Sequence, residues 1–248
     1  MRRLLAATAA LALLPLAAPA QGRTDDEIKA LVLEAILQNP EVVMQAVAIL
    51  QQREAEAAEA AATAALEGSR TALESGENAP VLGNPEGDVT VVEFFDYNCP
   101  YCRQAGDEVK ALLAADPNVR LVYREWPILG EGSVEAARVA LAARAQDGYP
   151  ALHEALMGAS GRVDGRAALE IAEELGLDMD RLRADMEAPE VQAHIDETMA
   201  LAQGLGFNGT PSFVIGDQVA PGMVSSEGLA EMVAAARGEA PAAEGDDG

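Results

Sequence analysis

The chain has 248 residues, of which 41 are acidic and 17 basic, so its formal net charge at pH 7 is −24. Such an acidic protein repels phosphate backbones, which argues against a nucleic-acid or anionic-membrane partner. The length suits one decorated domain, or one domain with a small additional module.

The first 20 residues have the pattern of a secretory signal peptide. Met1-Arg2-Arg3 is basic, residues 4–17 are almost wholly apolar, and Ala18-Pro19-Ala20 supplies small residues at the cleavage position. We expect cleavage after Ala20. A membrane anchor is the alternative, but the apolar run is shorter than the roughly 20 residues that a spanning helix needs. An exported chain with two cysteines is predicted to work in a compartment where disulfides can form, and the periplasm fits best.

Residues 21–78 are predicted to form a helical segment. Thr24 and Glu27 have the spacing of a capping box at the start of a first helix. Asn39-Pro40 interrupts the helical pattern, and a second, Ala- and Glu-rich helix is predicted from Glu41 to about Ser75. Because such a helix cannot bury its apolar stripe against itself, we expect the chain to form a homo-oligomer through this segment. An arm packed on its own body, or a mobile tether, is the alternative.

A strand, a helix and a second strand are predicted next. Gly76 to Gly87 has the composition of a linker and turn region, and Val89 to Asp96 is typical of a buried strand. Pro100 to Ala115 is predicted to be a helix with proline in its first turn. Val119 to Trp126 is predicted to be a strand, which gives a right-handed βαβ unit with a parallel strand pair.

The remaining sequence is predicted to be mainly helical. Its predicted parts, in chain order, are a helical region at about 133–204, a hairpin formed by Pro211 to Ile215 and a short strand near Val219, a last helix from Ser225 to Arg237 capped by Ser226, and a disordered acidic tail at 239–248.

Both cysteines of the chain lie in one C-x-x-C motif, Cys99 and Cys102, where the predicted strand turns into a helix. A structural zinc site needs four ligands, and His153 and His194 are the only histidines. Both histidines fall in helical segments and are expected to be ordinary surface or packed residues, so we expect no metal site. A structural disulfide in so small a loop would stabilise the fold by only about 2 kcal/mol.

A reactive pair is the remaining interpretation. Cys99 is placed before the first turn of the helix, where unpaired amides and the positive end of the helix dipole stabilise a thiolate. The pKa of Cys99 should therefore be lowered, which makes its sulfur both a nucleophile and a good leaving group. We assign Cys99 as the attacking thiol and Cys102, one turn further into the helix, as the resolving thiol.

Two motifs carry a resemblance to a known family. FFDYNCPYCR, followed far downstream by GTPSFVIG, resembles the DsbA-like branch of the thioredoxin superfamily over about residues 79–238. The resemblance implies an α/β fold class, namely a thioredoxin fold with a helical domain inserted at about 133–204. In this chain the fold would be preceded by the extended α-helical segment at 21–78.

The resemblance also implies roles for residues outside the cysteine pair. Thr210-Pro211 would be the cis-proline loop that lies against the C-x-x-C motif, and Glu93 would be a buried acid that manages protons at Cys102. An ordinary buried hydrogen bond is the alternative for Glu93. Four residues are assigned to substrate binding: Pro100, Tyr101, Thr210 and Pro211. Four aromatic residues near the motifs could form a groove for unfolded polypeptide or belong to the core, namely Phe95, Tyr97, Tyr101 and Phe213.

The N-terminal segment carries a narrower resemblance. ILQNPEVVMQAVAILQQRE resembles the helical extension of ScsC-like proteins, a DsbA-like group associated with copper tolerance, some of which oligomerise and act as disulfide isomerases. Thr210 is shared with isomerase-type relatives, and Pro100-Tyr101 departs from the Pro-His of the strongest oxidases. No imidazolium then assists the Cys99 thiolate, so we expect a reduction potential nearer about −200 mV than about −120 mV.

The predicted function is thiol-disulfide interchange without a cofactor, with a lean towards isomerase or reductase. The expected partners are unfolded or misoxidised exported proteins and a membrane-bound thiol-disulfide redox partner. The alternative, from another class, is a periplasmic copper-binding protein that uses the Cys99 and Cys102 thiolates as soft ligands without catalytic turnover. Copper titration of the reduced protein, with a test of whether Cys99→Ser abolishes disulfide exchange, discriminates between the two.

Overall fold

The computed structural model describes residues 23–75 and 78–238. The predicted signal peptide and the predicted acidic tail lie outside these residues. The chain divides into two compact units, Met1–Ala55 and Glu56–Gly248. The division falls inside the second helix rather than after residue 78, so the last part of that helix belongs to the larger unit.

The first unit contains the helix α1 (Asp25–Gln38) and the start of α2 (Glu41–Glu74). The predicted capping box is confirmed, because the amide of Glu27 donates to Thr24 Oγ1 at 3.4 Å and the amide of Thr24 donates to Glu27 Oε2 at 2.8 Å. No residue in 23–55 is buried within the described structure. No single helix of the described residues is long and apolar enough to cross a membrane, and α1 and α2 meet those criteria only when taken together as a broken pair.

The second unit is built on a five-stranded sheet. The strands are β1 (Val81–Gly83), β2 (Val89–Phe95), β3 (Val119–Glu125), β4 (Ser212–Ile215) and β5 (Gln218–Pro221). Their order in the sheet is β1-β3-β2-β4-β5, with β2 and β3 parallel and the other pairs antiparallel. The βαβ prediction is confirmed, because helix α3 (Pro100–Ala115) connects the parallel strands. The prediction of only linker and turn before β2 is wrong, since β1 pairs with β3 there.

The other helices of the second unit follow β3 and β5. They are α4 (Glu131–Ala142), a short 3-10 turn (Ala143–Gln146), α5 (Tyr149–Gly158), α6 (Gly165–Glu174), α7 (Met179–Asp185), α8 (Pro189–Gly204) and α9 (Ser226–Arg237). The helices from α4 to α8 form an insertion between β3 and β4, as predicted. The predicted cap of the last helix is wrong by one residue, because Ser225 has extended backbone and its Oγ accepts from the amide of Gly228 at 3.3 Å.

Alternation along β2 separates two apolar cores. Val92 and Phe94 point to a core that includes Leu66 and Leu73 of α2. Val91 and Phe95 point to the other face, where α3, α9 and the insertion pack. Because successive side chains of a strand point to opposite faces, Glu93 shares the face of the cysteines.

Arginines of β3 hold the end of α2 on the second unit. The buried Arg124 donates to the carbonyl oxygens of Ala72 and Leu73 and pairs with Glu197 at 2.9 Å. Arg120 donates to the carbonyl oxygen of Glu74 at 2.5 Å. A cation at the carboxyl end of a helix satisfies carbonyl groups that have no partner within the helix.

Candidate active site

Cys99 is the residue immediately before α3, and Cys102 lies in the first turn of that helix. Cys99 has extended backbone and its amide donates to the carbonyl oxygen of Asp96 at 3.0 Å. Both cysteines are free thiols. Cys99 keeps 5% of its surface exposed, whereas Cys102 is completely buried. Only Cys99 is therefore placed to meet a second molecule.

The surroundings of Cys99 lower its pKa from the ordinary value of 9.0 to about 5. The largest cause is a hydrogen bond from the Cys102 thiol, and the Thr210 side chain and the amides of Cys102 and Tyr101 act in the same direction against the cost of burial. The prediction from the sequence attributed the low pKa to the helix amides, and the structure adds a larger contribution from the neighbouring thiol. A low pKa gives thiolate, the reactive form, at neutral pH.

The pKa of Cys102 is shifted in the opposite direction. Burial raises it above its ordinary value, and the hydrogen bond to Cys99 and the negative charge of Glu93 raise it further. At neutral pH the pair thus holds one proton, on the inner sulfur, which stabilises the charge on the outer sulfur.

Glu93 is a buried carboxyl group without a hydrogen-bond partner. It is 1% exposed, and neither carboxylate oxygen bonds to any described residue. Burial raises its pKa from 4.5 to about 8, and the negative charge of Cys99 contributes to the increase. The ordinary buried hydrogen bond that was the alternative for Glu93 is therefore not formed within the described structure.

The Thr210-Pro211 loop lies against Cys99. The Thr210–Pro211 peptide bond is cis, and the Cys99 thiol, when protonated, can donate to the carbonyl oxygen of Thr210, with Sγ and O 3.2 Å apart. Pro211 leads directly into β4, which pairs with β2. Adjacent strands thus bring the two sequence motifs together, 111 residues apart in the chain.

The aromatic residues near the motifs fall into two groups. Phe95, Tyr97 and Phe213 are buried and belong to the core, whereas Tyr101 is 59% exposed. The groove interpretation is therefore wrong for the first three. Pro100, the first residue of α3, is also exposed.

The sequence prediction missed a polar framework beneath the active-site loop. Both oxygens of the buried Asp96 accept backbone amides, from Asn98 at 2.8 Å and from Leu129 at 2.9 Å. The carboxyl group of Glu125 accepts from the hydroxyls of Tyr97 and Tyr149, each at 2.9 Å. A polar residue inside the apolar run FFDYNC was the available signal for Asp96, whereas nothing local to the sequence marks Glu125.

The two histidines are buried, packed residues. His153 Nδ1 lies 3.1 Å from Tyr97 Oη, and His194 Nε2 accepts from the amide of Glu125 at 3.1 Å. Burial lowers the pKa of each to about 3. The described residues contain no group of three or more His, Cys, Asp or Glu side chains positioned to hold a metal ion.

Comparison with known proteins gives two family matches and several similar structures. Residues 90–234 match the family of DSBA-like thioredoxin domains, and residues 26–57 match the copper resistance protein ScsC N-terminal domain. A thioredoxin-like oxidoreductase from Silicibacter pomeroyi is 65% identical, with a TM-score of 0.67, and the match covers 69% of this chain and 99% of that one. A linker-deletion mutant of Proteus mirabilis ScsC is 25% identical, with a TM-score of 0.67, over 89% of this chain and 99% of that one.

Among curated proteins, the Na(+)/H(+) antiporter NhaA 1 of Salinispora arenicola is 34% identical over 158 residues. The match covers 63% of this chain and 24% of the antiporter. The chain thus spans about a quarter of the length of that relative.

Proposed function

This chain belongs to the family of DsbA-like thioredoxin domains, and we propose that it is a thiol-disulfide oxidoreductase that isomerises or reduces disulfides of exported proteins in the periplasm. Both resemblances seen in the sequence motifs are confirmed by the family matches. The observation that carries the proposal is the opposed behaviour of the two thiols: a lowered pKa at Cys99 and a raised pKa at the buried Cys102. A thiolate attacks disulfides, and a thiol of low pKa also leaves readily.

Exchange starts when the Cys99 thiolate attacks one sulfur of a substrate disulfide. The Cys99–substrate bond forms, the substrate S–S bond breaks, and the second substrate sulfur leaves as a thiolate. When a substrate thiolate then attacks the substrate sulfur of this mixed disulfide, Cys99 leaves and the substrate has a new disulfide with no net change of electrons.

Reduction takes the other branch from the same mixed disulfide. Cys102 gives up its proton and attacks the Cys99 sulfur, and the substrate leaves with two more electrons and both sulfurs reduced. The protein then holds the Cys99–Cys102 disulfide and needs a redox partner, which we assign to a membrane-bound protein. Oxidation of a substrate dithiol is the reverse sequence.

Glu93 is the group proposed to take the proton of Cys102. It lies on the cysteine face of the sheet, its charge acts on the pKa of Cys102, and its oxygens have no partner among the described residues. A carboxylate with a pKa of about 8 is a stronger base than an ordinary carboxylate, which suits it to accept a proton from a thiol.

The proposed substrate is an unfolded polypeptide. Pro100 and Tyr101 follow Cys99 and are exposed, and the carbonyl oxygen of Thr210 lies 3.2 Å from the Cys99 sulfur. Together with Pro211, these residues would contact the chain around the substrate cysteine. Only five large apolar side chains are exposed in the described part of the second unit: Tyr101, Leu129, Leu175, Met199 and Met223. Tyr101 lies two residues after Cys99, and the amide of Leu129 donates to Asp96. Met223 follows Gly222, whose amide donates to the carbonyl oxygen of Pro211 at 2.9 Å.

Two features favour isomerase or reductase over oxidase. The residue between Pro100 and Cys102 is Tyr101, so no imidazolium stabilises the thiolate of Cys99. The N-terminal match and the uncovered apolar side chains of residues 23–55 support association with other copies of the chain. An oligomer can keep a membrane oxidase away from the reduced cysteines.

Light scattering combined with refolding of scrambled ribonuclease tests the proposal on the mature chain from residue 21. We expect an oligomer that restores ribonuclease activity, a Cys99→Ser variant that does not, and a Cys102→Ser variant that accumulates mixed disulfides. A monomer that oxidises thiols rapidly but cannot refold scrambled ribonuclease would contradict the isomerase assignment. Absence of exchange in either direction would contradict the whole proposal.

A further inference from the structure

The loop between α5 and α6, residues 159–164, is bound to the active-site loop by the side chain that precedes Cys99. Asn98 Nδ2 donates to the carbonyl oxygen of Val163 at 2.8 Å, and Asn98 Oδ1 accepts from the amide of Val163 at 2.7 Å. Asn98 Nδ2 also donates to Ser133 Oγ at 2.9 Å. The side-chain amide of Asn98 thus forms two hydrogen bonds with the backbone of Val163 and a third with Ser133, near the start of α4.

Arg103, the residue after Cys102, also bonds to the loop at residues 159–164. Arg103 donates through Nη1 to the carbonyl oxygen of Ala159 at 2.6 Å and through Nη2 to that of Gly161 at 2.8 Å. Its Nε donates to the carbonyl oxygen of Tyr97 at 3.2 Å. Gly161 has a φ of +84°, a backbone conformation that favours glycine.

These contacts restrict rotation of the backbone next to Cys99. Tyr97 is fixed on the sheet side by its bond to Glu125, and the helix begins at Pro100. Asn98 and Cys99 are the only two residues between those fixed points. The three bonds of the Asn98 side chain therefore restrict the backbone rotation that would move the Cys99 sulfur away from its hydrogen-bond donors.

We propose that Asn98 is a positioning residue for thiol-disulfide exchange, which holds Cys99 against the first turn of α3 by pairing with Val163 of the inserted helical domain. The inference rests on the proposed function and adds a role for the insertion in setting the reactivity of the cysteine. Hydrogen bonds to a thiolate stabilise it only while donor and sulfur stay aligned. Loss of the pair should make the reduced form less stable relative to the disulfide.

The test is Asn98→Ala, with Asn118→Ala as the matched control. Asn118 is an exposed asparagine before β3 whose side chain bonds to none of the described residues. Thiolate absorbance should show the Cys99 pKa raised by about 1 unit in Asn98→Ala, a roughly fivefold loss of thiolate at the original pKa. The equilibrium with glutathione should shift about tenfold towards the Cys99–Cys102 disulfide, which is about 30 mV. Both quantities should be unchanged in Asn118→Ala.

A purely structural contact gives a different result. If Asn98→Ala only lowers the melting temperature and leaves both quantities unchanged, the inference is overturned, as it is by an equal shift in Asn118→Ala. Should Asn98→Ala fail to fold, Arg103→Lys replaces it, because it keeps the positive charge but not the set of three bonds, and it should shift both quantities in the same direction. A wild-type protein without exchange activity contradicts the proposed function, whereas the thiolate comparison still decides the role of Asn98.

Discussion

The Cys102 thiol donates a hydrogen bond to the sulfur of Cys99, and this bond is the largest cause of the low pKa of Cys99. The same bond raises the pKa of Cys102. The two cysteines are therefore one electrostatic unit, in which the buried thiol acts as a donor before it acts as a nucleophile. The lowered pKa is a property of the reduced pair and not only of the helix end.

Removing the donor should raise the pKa of Cys99. In Cys102→Ala we expect an increase of roughly 2 units above about 5, because the amides and Thr210 remain but the thiol does not. Cys102→Ser keeps a hydroxyl donor and should give a smaller increase. Thiolate absorbance against pH measures both variants. A pKa that stays near 5 in Cys102→Ala would show that the helix amides and Thr210 stabilise the charge without the Cys102 thiol.

Glu93→Gln tests proton transfer from Cys102. The rate at which Cys102 resolves a mixed disulfide with a cysteine peptide should rise with pH to a plateau as Glu93 ionises. The inflection should lie at or below about pH 8. In the mixed disulfide the pKa of Glu93 should be lower than in the reduced protein, because Cys99 carries no negative charge there. Glutamine keeps the shape of the side chain but accepts no proton, so the plateau rate should fall on the order of 100-fold.

Rapid-quench kinetics measures this step, and Glu86→Gln is its control. Glu86 is an exposed carboxylate in the turn before β2, so its replacement should leave the rate and the inflection unchanged. An unaltered rate in Glu93→Gln would assign the proton of Cys102 to another acceptor.

Local patterns predicted the parts of the site that depend on neighbours in sequence. The helix from Pro100 to Ala115 was predicted at both ends, because proline in the first turn and the apolar spacing are local signals. β1 was missed because a three-residue strand is defined by its pairing with β3, which no local pattern reveals. The Asn98 pair with Val163 joins residues 65 apart, and its geometry depends on how the insertion folds back over the active-site loop.

The buried carboxyl group of Glu125, beneath the active-site loop, should make stability depend on pH. Burial raises the pKa of Glu125 from 4.5 to about 8, although Tyr97 and Tyr149 donate hydrogen bonds to it. Between these two values the unfolded chain releases a proton that the folded chain retains. The contribution of Glu125 to stability is therefore complete below about pH 4.5 and is lost as the pH rises towards 8.

Glu125→Gln isolates this effect, because the glutamine oxygen still accepts from both tyrosines and carries no charge. Urea unfolding should show the variant gaining about 3 kcal/mol relative to wild type between pH 5 and pH 8. Glu86→Gln should show no such gain. A constant difference between the two pH values would mean that Glu125 is already ionised in the fold at pH 5.

The apolar side chains of α1 provide the sharpest test of assembly. Ile28, Leu31, Val32 and Ile36 recur at helical spacing, and all four are exposed within the described structure. If copies of the chain associate through this stripe, Leu31→Glu places an unpaired charge in the contact and should lower the mass measured by light scattering. Ala30→Glu adds the same charge away from the stripe and should leave the mass unchanged. Because the cysteines lie in the other unit, Leu31→Glu should keep exchange with small dithiols while losing activity on scrambled ribonuclease. Equal masses for the two variants and the wild type would show that α1 does not mediate association.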